Sequence, residues 1–243
     1  MAKRAGRKAP AKRRTVARTL HQVRFPGESA KYRTARNALL KSEMALRAQI
    51  EQVAAARRKL PLGGAIPEDY VFDELVDGSV RPVRMSSLFT PGKDTLIVYS
   101  YMFGPKMGAP CVSCTSILDG LDGQSQHVTQ RVNFVVVAKS PIDRIVTLAR
   151  ERGWRGLRLL SSARNTYNRD YHGETENGDQ LPSLNVFVRR NGKIHHFFHS
   201  ELLFAPAERG QDGRHVDMIW PLWNLFDVTP EGRGTGWYPR LRY

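Results

Sequence analysis

Apolar and polar positions alternate along the chain in two distinct periods. From Glu28 to Leu60, the residues Tyr32, Ala35, Leu39, Leu46, Ile50 and Val53 recur at spacings of three, four or seven, with Lys, Arg and Glu between them. That period predicts one long amphipathic helix with an apolar stripe. Pro61 and Gly63-Gly64 end it. The stripe covers too few heptads for a sustained coiled coil, so it suits docking on the main domain or on a partner subunit.

From Pro67 onward the pattern changes to short apolar runs separated by turns. Tyr70-Val71-Phe72, Asp77-Gly78 and Val80 to Val83 predict a β-hairpin, because Asp-Gly accepts the positive φ angles of a tight turn. Ser86 to Phe89 predicts a short helical turn. Thr95 to Phe103 and Asn133 to Ala138 are continuous apolar runs of strand length, which predicts buried strands. Ser140-Pro141 predicts a helix start, with serine as cap and proline at the first position. That helix runs from Ile142 to Arg152, and Gly153 closes it. Trp154 and Leu157 to Leu160 predict another strand. Ser161 to Gln180 is polar and without period, so it predicts a long loop. The loop carries Tyr167, Arg169, Asp170, Tyr171 and His172, either lining a site or solvated around two anchoring tyrosines. Leu184 to Val188, Asn191-Gly192 and the residues after them predict a second hairpin. Its pairs are Arg190 with Lys193, Val188 with His195, and Phe187 with His196. Strict alternation then puts His195, Phe197 and His199 on one face, and His196 and Phe198 on the other. Val216 to Phe226 predicts a short helix interrupted at Pro221, and Thr229 to Gly236 a loop. The aromatics after Ser200 suit packing against the body. Strands alternating with helices predict an α/β layered domain.

Composition sharpens this picture in two places. The formal net charge is +15 over 243 residues. About half of the excess lies in Lys3, Arg4, Arg7, Lys8, Lys12, Arg13, Arg14 and Arg18. Residues 1–27 therefore read as a basic, disordered tail, residues 28–62 as the long helix, and residues 63–243 as the main domain. The tail offers weak contact with nucleic acid or another anionic surface, although a solvated tail is the simpler reading. No apolar run reaches the ~18 residues of a membrane span. The long helix and the aromatic C-terminus each offer a homodimer interface.

The two cysteines, Cys111 and Cys114, stand in the segment Tyr101-Met-Phe-Gly-Pro-Lys-Met-Gly-Ala-Pro-Cys-Val-Ser-Cys114. A buried strand, a Gly/Pro-rich turn and then Cys-x-x-Cys opening a helix form the setting of a redox dithiol. A cysteine in the first turn of a helix lies among unpaired N–H groups at the positive end of the dipole, which favours the thiolate. Cys111 is then the nucleophile and Cys114, three positions on, the resolving thiol. Lys106 adds a positive charge nearby or is a plain surface lysine. One close pair in a long chain does not make a disulfide framework, and a reducing cytoplasm is the simplest compartment. No glycine-rich dinucleotide fingerprint is present, so no cofactor is implied.

The order of parts resembles the thioredoxin-like fold: a three-layer α/β/α sandwich around a mixed sheet. In that superfamily a cis proline before the last hairpin faces the cysteines, and the position maps onto Pro182. The hairpin Tyr70 to Val83 with Ser86 to Phe89 looks like the entry of peroxiredoxin-type members. More closely, the chain after the basic tail resembles the bacterial domain-of-unknown-function 899 family, whose members are described as dithiol–disulfide oxidoreductases. Leu62-Gly-Gly, Pro67-Glu-Asp-Tyr70, Met102-Phe-Gly-Pro105, Cys111-x-x-Cys114, Arg152-Gly-Trp154, Asn165 to Tyr171 and Trp223 to Gly232 carry that match. The resemblance implies a disulfide or thiol substrate, protein or small molecule, an external thiol reductant, and Cys111, Cys114 and Pro182 as site residues. Two departures stand out. Pro110-Cys-Val-Ser-Cys114 lacks the tryptophan and the Gly-Pro interior of thioredoxins. Gly108 stands where peroxiredoxins carry a threonine, three residues before the reactive cysteine.

A binding module is the competing reading. Tetrahedral zinc uses two cysteines and two histidines, here Cys111, Cys114, His195 and His199, with the basic tail contacting nucleic acid. The wide separation of those histidines from the cysteines counts against a compact finger. His195, His196 and His199 also suit simple packing or hydrogen bonding.

Overall fold

The computed structural model describes residues 23–210, 218–229 and 235–243. The basic tail, with all but Val23 to Gly27 of its residues 1–27, lies outside the described residues, as do residues 216–217 of the expected C-terminal helix and most of the 229–236 loop. The chain divides into two units, Met1–Lys59 and Leu60–Tyr243.

The first unit holds helix α1, Ala30–Arg58. It starts two residues later than the period suggests, because Ser29 is its N-cap: the Ser29 hydroxyl accepts the Tyr32 N–H at 3.1 Å. Arg57 and Arg58 sit in the last turn, where cations oppose the helix dipole. Just before the helix, the Arg33 guanidinium binds the Glu28 carboxylate and holds it down at about 2. No residue of α1 is buried, and Tyr32, Leu39, Leu46, Ile50 and Val53 of the stripe are exposed.

The second unit is built on one seven-stranded sheet. In chain order its elements are β1 Val71–Val76, β2 Ser79–Arg84, a 3-10 turn Met85–Leu88, β3 Thr95–Tyr101, α2 Val112–Val128, β4 Asn133–Ala138, α3 Ile142–Arg152, β5 Leu159–Ser161, α4 Tyr167–Asp170, β6 Ser183–Arg190, β7 Lys193–His199 and α5 Pro221–Asp227. The sheet order is β2-β1-β5-β4-β3-β6-β7. β3, β4 and β5 run parallel, and the other neighbours are antiparallel. The segment β3-α2-β4-α3 followed by the β6-β7 hairpin is the thioredoxin-like arrangement, with β1 and β2 extending the sheet.

The core lies on both sheet faces. On one, Tyr99, Tyr101, Phe134 and Val136 meet Ile117 and Leu118 of α2 and Ile142 and Ile145 of α3. On the other, Leu96, Val98, Val135, Leu160 and Phe187 meet Tyr70, Phe72, Met85, Leu88 and Tyr167. The second helical layer is thin, supplied by the one-turn α4 and the 3-10 turn. The helices on the first face are long because the two parallel crossovers need them.

Both hairpin turns form at the expected dipeptides. Asp77 and Gly78, and likewise Asn191 and Gly192, all have positive φ, the requirement of a tight type I′ connection. The register Arg190↔Lys193, Val188↔His195 and Phe187↔His196 is the expected one. Beyond it the pattern breaks. Phe187 pairs with His196 but Val186 pairs with Phe198, so Phe197 is an extra residue in a β-bulge. The bulge moves His199 to the face of His196, not of His195.

Other boundaries differ for local reasons. The helix that the cysteines open, α2, runs on to Val128 through Gly120 and Gly123. Pro141 is the N-cap of α3, not its first residue, with extended φ −52° and ψ 145°. Ser140 lies outside that helix, and its hydroxyl donates to the Gly104 carbonyl at 3.0 Å. α5 begins with Pro221 at its first position, so the proline starts that helix instead of interrupting it. The polar stretch after Ser161 includes α4, and Tyr167 is fully buried. Gly63 and Gly64 run along the free edge of β7: Gly63 N–H donates to the His196 carbonyl, and His196 N–H to that of Gly64. A Cβ on Gly63 would meet the His196 carbonyl oxygen at 2.7 Å. The glycines thus cover an edge strand that would otherwise expose open donors and acceptors. No described helix is long and apolar enough to cross a membrane.

Candidate active site

Cys111 and Cys114 sit where β3 hands over to α2. The chain leaves β3 at Tyr101, passes through Gly104 to Pro110, and returns so that Cys111 N–H donates to the Met102 carbonyl at 3.0 Å. Arg144 of α3 holds this loop. Its guanidinium donates to the carbonyls of Gly104 and Pro105 at 3.3 Å and of Met107 at 2.6 Å, and stacks over the Phe103 ring at 4.4 Å. Cys111 is the N-cap of α2, one place before the first turn. Cys114 is the third residue of the helix, and its side chain turns toward the sheet.

That one-turn difference separates the two thiols. Both are free. Cys111 is partly exposed, whereas Cys114 is only 2% exposed. The neutral Cys111 side chain makes no capping hydrogen bond. As a thiolate it faces the Cys114 S–H, the N–H groups of Cys114 and Ser113, and the Ser113 hydroxyl. The Cys114 thiol is the largest influence, and together these donors outweigh burial and bring Cys111 down to about 6. Cys114 moves the other way, well above its ordinary value, because it is the donor to Cys111, is buried, and lies beside the Cys111 charge. Lys106 is exposed and is not among the groups that lower Cys111.

Tyr99, from the middle of β3, faces the pair. It is 1% exposed, and among the described residues its hydroxyl has no hydrogen-bond partner. It influences Cys114 directly: the hydroxyl favours the Cys114 anion, and burial with the nearby thiols pushes its own ionisation well up. Tyr101, two residues on, hydrogen-bonds the Thr115 hydroxyl at 2.7 Å, and that hydroxyl lies 2.8 Å from the Cys111 carbonyl. Tyr99 and Tyr101 thus share one face of β3, and Tyr101 ties the sheet to the start of α2.

The C-terminal segment closes the other side. Trp220 Nε1 donates to the Ser116 hydroxyl at 3.0 Å, and the hydroxyls of Tyr238 and Ser113 are 2.6 Å apart. Trp220, Trp223 and Tyr238 pack edge-on and tilted against one another. Between Trp220, Tyr238 and the cysteines lies a cavity of about 170 Å³, which Pro182 also lines. The Leu181–Pro182 bond is not cis, contrary to the superfamily pattern, since no described peptide bond is cis. A larger groove, about 1140 Å³, borders Pro110 on the outside of the loop and does not include either cysteine.

The zinc set does not assemble. His195 lies against the Gly63 carbonyl at 3.3 Å. His199 and His196 lie 2.9 and 3.2 Å from the same Asn185 Oδ1. His196, His199, Asp170, Tyr171 and His172 border a separate cavity of about 620 Å³ that contains no cysteine. Burial lowers both His196 and His199. Among the described residues no three His, Cys, Asp or Glu side chains are grouped to hold a metal ion. Tyr99, Ser113, Arg144, Trp220 and Tyr238 are site neighbours that the motif does not name. The strand alternation of Tyr99 and Tyr101 signals the first; nothing local signals the rest.

Residues 22–243 match the family model described as a bacterial protein of unknown function, DUF899, and the chain belongs to that family. No curated protein matches the chain. Among solved structures it is similar to peroxidoxin BcpB from Mycobacterium tuberculosis, at 14% identity and a TM-score of 0.43, covering 67% of this chain and 95% of that one. It is also similar to thioredoxin peroxidase I from Plasmodium yoelii, at 18% identity and a TM-score of 0.43, covering 72% and 100%. An uncharacterized conserved protein from Geobacillus kaustophilus gives 15% identity and a TM-score of 0.41, covering 63% and 75%. Overlaps this loose say nothing about activity.

Proposed function

We propose that the protein is a thiol–disulfide oxidoreductase acting through Cys111 and Cys114. The observation that carries this reading is the opposite perturbation of the two thiols within one helical turn: an accessible Cys111 at about 6 beside a buried Cys114 held well above its ordinary value. At pH 7 a thiol of that kind is about nine-tenths ionised, against a few per cent for a free cysteine.

The Cys111 thiolate attacks one sulfur of a substrate disulfide. A mixed disulfide forms, and the other half of the substrate leaves as a thiolate and takes a proton from solvent. Cys111 is then neutral, so the two Cys111 influences that kept Cys114 protonated, its hydrogen bond and its charge, are gone. The Cys114 proton passes to solvent, from which the second leaving thiolate takes one up, and the Tyr99 hydroxyl donates to the Cys114 sulfur as it becomes charged. Cys114 attacks the Cys111 sulfur, the second substrate thiolate is released, and a Cys111–Cys114 disulfide remains. An external thiol reductant returns two electrons; one of its protons ends on Cys114 and the other goes to solvent, because Cys111 returns as the thiolate. Pro182 borders the cavity and shapes the approach of substrate.

Thiol labelling in graded dithiothreitol buffers, with metal assayed on the same sample, tests this. The expected result is a two-electron transition without bound metal, within the span of about −270 to −120 mV set by known dithiol proteins. Stoichiometric zinc, or no disulfide at any poise, refutes the reading.

A further inference from the structure

The cavity beside the dithiol carries information about its substrate. It is small, about 170 Å³, close to the ~150 Å³ that accommodates a benzene-sized molecule. Among the described residues no Lys, Arg, Asp, Glu or His lines it. Its walls are the rings of Tyr99, Trp220 and Tyr238 and the side chains of Ile117, Leu203 and Ile219. A charged substrate entering here would lose its hydration and find no counter-charge, which is strongly unfavourable.

The outer wall belongs to the C-terminal segment. The Tyr238–Ser113 hydroxyl contact at 2.6 Å joins that segment to one of the two residues between the cysteines. The Trp220–Ser116 bond anchors it one turn further along α2. A protein disulfide needs an open, flat approach to the attacking sulfur. Here Trp220, 3% exposed, and Tyr238 line the cavity beside Cys111 and make that side of the approach narrow instead of flat.

We infer that the dithiol takes a small, uncharged organic disulfide as substrate, with Tyr238 as the specificity-determining wall that excludes protein and charged disulfides. This rests on the oxidoreductase reading above. The exchange is the one already written, with both substrate halves leaving as small neutral thiols.

The test uses the full-length reduced chain and three oxidants: bis(2-hydroxyethyl) disulfide, glutathione disulfide and insulin. Each rate is divided by that of free dithiothreitol with the same oxidant. The expected result is a normalised rate for the small uncharged disulfide at least about tenfold above that for glutathione disulfide, the scale on which a closed pocket discriminates, with no reduction of insulin. Tyr238→Ala should narrow the gap to about threefold or less by raising the glutathione rate. Tyr238→Phe keeps the ring and should retain the preference, and it serves where the alanine variant fails to fold. Equal normalised rates for all three oxidants in the wild type overturn the size and charge filter and leave the oxidoreductase reading standing. No reaction with any oxidant, from a protein whose Cys111 still alkylates, overturns the oxidoreductase reading itself.

Discussion

Replacing Cys114 by alanine should raise the Cys111 pKa, because the Cys114 thiol is the largest of the groups that lower it. Cys111 stands at about 6 against an ordinary 9.0. Each tenfold step corresponds to about 1.4 kcal/mol, so the full preference for the anion is roughly 4 kcal/mol before solvent screening reduces it. A hydrogen bond to a charged acceptor contributes about 1.5–3 kcal/mol, and a thiol is a weak donor, so the lower end applies. Cys114→Ala should therefore move Cys111 to about 7, leaving the N–H groups of the helix start to hold the rest. Cys114→Ser restores a donor and should bring the value part of the way back. The assay is the pH profile of alkylation by iodoacetamide. Its midpoint is the right observable, because the rate at one pH mixes ionisation with the higher nucleophilicity of a more basic thiolate. A midpoint that stays at about 6 in Cys114→Ala would refute the assignment and leave the helix N-terminus as the main cause.

The same shift sets a pH dependence of stability. Cys111 is lowered in the fold, so its contribution is fully present above the ordinary value of 9.0 and is lost as pH falls through about 6. The stability difference between reduced wild type and Cys111→Ser, read from urea melts, should shrink steadily over that window. Above it the raised Cys114 acts in the opposite sense, and its contribution is lost as pH rises. Arg144→Gln should slow reaction with a small disulfide severalfold while leaving the Cys111 alkylation midpoint at about 6, because Arg144 holds the loop and is not among the groups acting on the thiol. Asp122→Ala should cost about 1.5–3 kcal/mol in urea melts, since its Oδ1 accepts the N–H groups of Arg155, Gly156 and Leu157 at 2.8–3.1 Å. Gly156→Ala should cost about 1–3 kcal/mol by the same measurement, because its Cβ would stand 2.8 Å from the Asp122 carbonyl oxygen and against the Ser125 hydroxyl.

Much of the fold is legible wherever a local requirement has only one residue solution. Asp77-Gly78 and Asn191-Gly192 need positive φ at both positions, and the strands on either side follow in register. Continuous apolar runs mark β3 and β4 because both of their faces are covered. The misses have a common cause: a tertiary contact replaces the local rule. α2 carries Gly120 and Gly123, whose low helix propensity hides its second half, yet Ile117, Leu118 and Leu121 pack on the sheet and carry the helix to Val128. The polar stretch around Tyr167 is unperiodic because a single turn needs no period, and Tyr167 is held by Tyr70, Phe72 and Phe187 around it. The bulge at Phe197 is invisible to alternation, since Phe197 and Phe198 read alike. It reverses the face of His199, the one histidine beyond it.

The Cys-x-x-Cys spacing shows that the two sulfurs share one helix start, but spacing is symmetric and does not say which sulfur is the more acidic. The asymmetry comes from depth. An N-cap side chain stands at the open end of the helix, facing N–H groups without partners. The third helical residue is turned inward, here onto a strand whose inward positions are Tyr99 and Tyr101. Had β3 offered a charged group at position 99, Cys114 would face an ion and its proton would depend on that partner. With a neutral, unpartnered tyrosine hydroxyl there, the proton stays on Cys114 while Cys111 is charged, and the hydroxyl becomes useful only when Cys111 is not. Tyr99→Phe separates these roles. It should leave the Cys111 alkylation midpoint at about 6, because Tyr99 is not among the groups that lower that thiol. It should slow closure of the Cys111–Cys114 disulfide from a trapped mixed disulfide by about tenfold, the loss of one hydrogen bond to a charged sulfur. Closure at the wild-type rate in Tyr99→Phe would remove the tyrosine from the mechanism and leave burial alone to govern the second thiol.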